Sequence, residues 1–98
     1  MMEIKKEMVD NICTLAPEGR IDTLTSGELE NAVNDCVGKC EKLVLDMAKV
    51  DYVSSAGIRV IIQVHQAAGQ NGFSLKNVSQ NVMQLLTMTG FDKVLVFE

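Results

Sequence analysis

The hydrophobic positions change their spacing several times along this chain, and each change marks an element. Met8 to Leu15 is rich in Val, Ile and Thr and runs into Pro17-Glu18-Gly19, a turn signal, so this stretch reads as a strand. Glu3 to Lys6 makes a candidate partner strand, with Asp10-Asn11 as the tight turn between the two. Arg20-Ile21-Asp22-Thr23 then reads as a loop leaving the second strand. Thr25 with Glu28 three residues later is a capping box, and Leu29, Ala32, Val33 and Cys36 repeat at helical spacing until Gly38. Leu43-Val44-Leu45 is a short continuous apolar run ending at Asp46-Met47, the pattern of a central strand covered on both faces.

From Ala56 to Ala68 nearly every position is apolar or small, and Gly69 closes a well-buried helix. Phe73 to Val78 alternates like a strand. Ser79 caps a further helix carrying Val82, Leu85 and Leu86, with Val78 stapled to Met83 and Gly90 as the stop. Val94-Leu95-Val96-Phe97 is a candidate terminal strand. The order of strands, helix, strand, helix, strand, helix, strand predicts an α/β sheet with crossover helices.

Ninety-eight residues make room for one domain, which buries roughly 65% of the surface its unfolded chain exposes. Hydrophobic residues at 47% and charged ones at 22% exclude disordered and collagen-like classes. Nine basic against thirteen acidic residues, a net charge of −4, argue against a phosphate-backbone binder, so no direct nucleic-acid partner is expected. Neither a membrane span nor the apolar stretch of a signal peptide is visible, which points to a cytoplasmic protein with no membrane partner. Three irregularly spaced cysteines do not make a disulfide framework. Cys36 and Cys40, four apart on a helix, lack the further ligands of a zinc set, so no metal or cofactor is expected and the cysteines read as small core residues. His65, amid Val60, Ile61, Ile62 and Val64, reads as a partly buried imidazole.

Chemistry concentrates where the central strand hands over to the buried helix. Asp51-Tyr52-Val53-Ser54-Ser55-Ala56-Gly57-Ile58-Arg59 puts two hydroxyls at a helix N-terminus, where four backbone amides lack helical partners. One serine is explained as a cap. Two are explained less well, and because Gly57 and Ile58 stand where a capping box would carry Glu or Gln, the helix end stays electropositive. A phosphate attached there would meet free amides, with Arg59 one turn after Ser55. Ala56 and Gly57 leave the preceding hydroxyl unshielded.

The stretch Leu43 to Arg59 resembles the signature of STAS domains in the branch of bacterial anti-sigma factor antagonists. Gly19-Arg20-Ile21-Asp22 is similar to that family's loop before the first helix. Met88-Thr89-Gly90-Phe91-Asp92-Lys93-Val94 is similar to the end of its last core helix and the start of its final strand. The resemblance implies a single STAS-like α/β domain over residues 1–98, with a mixed sheet of four to five strands. It implies a non-enzymatic antagonist with no catalytic residue: the unmodified form binds an anti-sigma factor serine kinase and frees a sigma factor, and phosphorylation of one serine prevents binding. A serine phosphatase would reset the switch.

In the family the acceptor stands two residues before the motif glycine, which here is Ser55. The residue before it is Ser54, where many antagonists carry Asp, so Ser54 is the alternative acceptor. Asp22 matches an acidic loop position near the partner surface. The expected partner-binding set is Asp22, Thr23, Ser54, Ser55, Ala56, Gly57, Ile58 and Arg59. Two further readings stand beside this one. A scaffold or sensor module would capture a small anion or nucleotide at the same helix end without covalent change. A hydrolase would use Ser55 with His65, but ten residues along one helix set them about 15 Å apart.

Overall fold

In the computed structural model, which describes residues 2–69 and 71–98, β1 (Glu3–Val9) and β2 (Ile12–Ile21) run antiparallel around Asp10-Asn11. Those two residues have φ values of 52° and 66°, the left-handed pair that a tight hairpin turn requires. After α1 (Ser26–Asn34) come β3 (Lys42–Asp46), β4 (Lys49–Val53), α2 (Ser55–Ala68), β5 (Phe73–Lys76) and α3 (Gln80–Thr89). The five strands form one mixed sheet in the order β1-β2-β3-β5. Both β3 and β4 run parallel to β2, β3 beside Ile12–Leu15 and β4 beside Glu18–Ile21. The expected α/β domain with a mixed sheet of four to five strands and crossover helices is the one observed.

Alternation along the strands builds the core. Cys13, Leu15, Leu43, Leu45, Phe73 and Leu75 share one buried cluster with Leu29 and Val33 of α1, Ile61 and Val64 of α2, and Val82 and Leu86 of α3. The opposite row, Thr14, Val44 and Ser74, is paired across β2, β3 and β5; Val44 is buried yet stands apart from that cluster.

Four expectations are corrected. Pro17-Glu18-Gly19 is not a turn: β2 continues through it to Ile21, so Arg20 and Ile21 are strand, and the loop begins at Asp22. Pro17, opposite Ile4 of β1, is tolerated because on its other side it lies where the neighbour of β2 changes from β3 to β4, and Gly19, with φ 101°, accompanies a register shift. β4 was not anticipated. The first helix stops at Asn34 rather than near Gly38, and turns follow. No terminal strand forms among Val94 to Phe97. Gly90 (φ 80°) and a 3₁₀ turn over Phe91–Lys93 take up the chain, so only Phe97 bridges Leu75 while Leu95 joins the core.

Candidate functional site

The ends of β2 and β4 set the position of α2. The Ser54 amide donates to the Ile21 carbonyl at 2.7 Å, which ties the start of the helix to the last residue of β2. The Ser54 hydroxyl then accepts from the Gly57 amide at 3.3 Å, closing the helix end as an N-cap. Ser55, the first helical residue, is exposed, and its hydroxyl makes no hydrogen bond among the described residues. The two serines are thus divided: one is committed to the backbone and half-buried, the other is free. The first turn of α2 carries no acidic side chain, and the amides of Ser55 and Ala56 have no helical acceptor, so the positive end of the helix is uncompensated beside the Ser55 hydroxyl.

Gly57 has a different reason from the one the sequence suggested. It is buried, and a Cβ there would stand 2.6 Å from Ile21 Cγ2 and 2.7 Å from Val53 Cγ1. The glycine lets the helix approach the two strand ends; it does not open space beside the hydroxyl. Ile58 is likewise buried at its edge of the core, whereas Arg59 is exposed. Of the residues expected on a partner surface, Asp22, Thr23, Ser54, Ser55, Ala56 and Arg59 are at least partly accessible, Ile58 contributes one wall of a groove, and Gly57 faces inward. That groove, of about 460 Å³, runs from Ser55 along Ile58 and Ile62 of α2 to Thr89 at the end of α3 and Phe91 just beyond it.

The loop after β2 is held by its own acid. One Asp22 carboxylate oxygen accepts from the amides of Leu24 (2.9 Å) and Thr25 (3.1 Å). These bonds, the Thr25 amide first, hold the Asp22 carboxyl below the usual aspartate range. The Thr25 hydroxyl accepts from the Asp22 amide at 2.8 Å and donates to the Arg20 carbonyl at 2.7 Å. It is therefore not free to cap α1, and the Glu28 carboxylate accepts instead from the Met2 amide at 3.0 Å, so the expected capping box does not form. The bonded loop leaves Leu24 pointing outward, 87% exposed.

Two neighbours escaped sequence reasoning. Arg20 and Tyr52 are cross-strand partners on β2 and β4, and the guanidinium lies 4.4 Å from the ring centre. Only the unpredicted β4 register brings them together. The hydrolase reading fails on geometry: Ser55 and His65 occupy the two ends of one continuous helix, and His65 Nδ1 is buried without a hydrogen-bond partner among the described residues. The Cys13 thiol meets Cys36 Sγ at 3.1 Å, while Cys40 Sγ lies 3.5 Å from the Cys36 carbonyl oxygen. Among the described residues no cluster of three His, Cys, Asp or Glu side chains could hold a metal ion, and no helix is long and apolar enough to cross a membrane.

A mixed sheet carrying a serine at the N-terminus of the helix after its central parallel strands is the arrangement of a STAS domain. The STAS domain family profile matches residues 3–98, and the chain belongs to that family. Several of the proteins it is similar to carry the name anti-sigma factor antagonist. A Bordetella bronchiseptica protein named as a candidate anti-sigma factor antagonist, BtrV, is 27% identical over 95 residues, covering 92% of this chain and 80% of that protein. The crystal structure of an anti-sigma factor antagonist from Mycobacterium paratuberculosis shares the fold with a TM-score of 0.89 at 23% identity, covering 99% of this chain and 85% of that one. Bacillus SpoIIAA in its phosphorylated form shares it with a TM-score of 0.73 at 13% identity, covering 98% and 91%.

Proposed function

We propose that this STAS domain is a cytoplasmic, non-enzymatic partner switch. The unmodified chain binds an anti-sigma factor serine kinase and frees the sigma factor; the kinase phosphorylates Ser55 and so ends the contact; a serine phosphatase restores it. The observation that carries this reading is the division of labour at α2: the Ser54 hydroxyl is bonded to the Gly57 amide, while that of Ser55 is exposed and uncommitted at a helix end without an acidic neighbour. A phosphoryl group on Ser55 meets first-turn amides and Arg59, four residues on along the same face. The partner surface comprises the Asp22-Thr23 loop and the exposed part of Ser54 to Arg59, with the groove bordered by Ile58 and Phe91 beside it.

Incubation with a cognate kinase and Mg-ATP, followed by phosphopeptide mapping, tests the assignment. One phosphoryl group on Ser55 is expected, absent from Ser55→Ala. Label on Ser54, or equal labelling of Ser55→Ala, would sink it. The groove beside Ser55 is also where a small anion or nucleotide would sit in the non-covalent sensor reading. In that case the intact mass stays unchanged after incubation, while nucleotide protects the groove from exchange.

A further inference from the structure

Cys13 and Cys36 are fully buried, and the Cys13 thiol donates to Cys36 Sγ across 3.1 Å, joining residues 23 positions apart. Cys13 lies near the start of β2 and Cys36 in the turns after α1, so the contact links the sheet to the helical layer. A disulfide has its sulfurs about 2.05 Å apart, so an approach of roughly 1 Å brings these two to bonding distance. Cys40 is the remaining thiol. It is half-buried, its Sγ lies 3.5 Å from the Cys36 carbonyl oxygen, and it is near enough to act on the Cys13 thiol through its charge. Burial, followed by the contact with Cys36, pushes the Cys13 thiol up to about 12. Cys13 is therefore a slow nucleophile, and an oxidant in solution meets Cys40 first.

We propose that Cys13 and Cys36 form a reversible intramolecular disulfide under a two-electron oxidant of the peroxide class, with Cys40 as the thiol that receives the oxidant. The Cys40 thiolate attacks a peroxide oxygen, breaking the O–O bond and giving a sulfenic acid and, after protonation, water. The Cys36 thiolate attacks the Cys40 sulfur and expels hydroxide, which leaves as a second water. The Cys13 thiolate then attacks the Cys36 sulfur; the Cys13–Cys36 bond forms and the Cys40 thiolate departs, taking the proton that Cys13 lost. Two thiols are oxidised, one peroxide is reduced, and two waters are released. A dithiol reductant reverses the result. The site stands independently of the switch reading, because the pair lies at the opposite end of β2 from Ile21, the residue that anchors Ser54; the eight residue steps from Cys13 to Ile21 span about 26 Å of strand.

The test uses the reduced full chain and hydrogen peroxide, quenched by alkylation and read by intact mass, peptide mapping and thermal melting. A mass loss of about 2 Da, a peptide linking Cys13 to Cys36, and one alkylatable thiol at Cys40 are expected. The midpoint should rise by roughly 10 °C and return with dithiothreitol. Cys40→Ser should slow closure about tenfold or more while giving the same linkage. Oxygen addition without the loss of two mass units, a stable product linked through Cys40, or closure of Cys40→Ser at an unaltered rate would each overturn the proposal.

Discussion

Adjacent serines on one chain make opposite demands on a substitution, because the hydroxyl of one closes a helix and that of the other touches nothing. Ser54→Ala deletes the bond to the Gly57 amide and should cost about 1 kcal/mol of stability, whereas Ser55→Ala should stay within about 0.5 kcal/mol of the parent. Denaturant titration of the two variants checks the order; equal losses would mean that both hydroxyls are structural. Asp22 poses the same kind of question for pH. Its folded-state value is depressed, so its contribution is complete above the ordinary aspartate value and is lost as pH falls through the lower, folded one. Carboxyl titration by NMR should give a midpoint below 3.8, and the Leu24 and Thr25 amides should keep their shifts until the solution is more acid than that. A midpoint at or above 3.8 would show that the loop does not depend on this acid.

At the scale of elements, Gly57 couples the helix to the sheet. Gly57→Ala would gain about 1 kcal/mol of helix propensity, but its Cβ would strike Ile21 and Val53 and come within 3.0 Å of the Ile21 carbonyl oxygen. The net should be a loss of about 1–3 kcal/mol together with slower phosphorylation, since the start of α2 must lift. An unchanged denaturation midpoint would mean that the close approach is relaxed in solution. The same region shows what the sequence made legible. α2 and α3 were readable because their apolar spacing is regular and their ends are marked by serine and glycine, and β3 because its apolar run is continuous. β4 was not: Lys49-Val50-Asp51-Tyr52-Val53 buries only Val50 and Val53, and it follows β3 without glycine or proline between them. Pro17-Glu18-Gly19 misled for the converse reason, since its turn residues occupy a strand at a gap between neighbours. The motif behind the proposal of Ser55 as acceptor is local, so that expectation could be formed from sequence alone. The Arg20–Tyr52 stack and the Cys13–Cys36 contact depend on long-range register and could not be read there.

For the molecule as a whole, the proposed switch would have to change binding without changing the fold, and the surroundings of Ser55 would separate the two effects. Phosphoserine brings about −1.5 to −2 charges at neutral pH. In the free protein that charge faces first-turn amides and Arg59, with no carboxylate in the first turn of α2, so the domain has no reason to unfold. In the proposed complex the same dianion would sit at the rim of the groove walled by Ile58, Ile62 and Phe91, and a partner covering that groove would have to strip water from it. The chain's formal charge of −4 deepens at the same time, so an acidic or nucleotide-bearing partner face is repelled more strongly. Phosphorylated protein and Ser55→Glu should therefore melt within about 2–3 °C of the unmodified chain while losing about tenfold or more in kinase affinity. Ser55→Ala should bind as the parent does and resist release by ATP. Calorimetry and titration on these forms read both quantities together. A large fall in melting temperature with affinity intact would assign Ser55 to the stability of α2 and remove the switch from it.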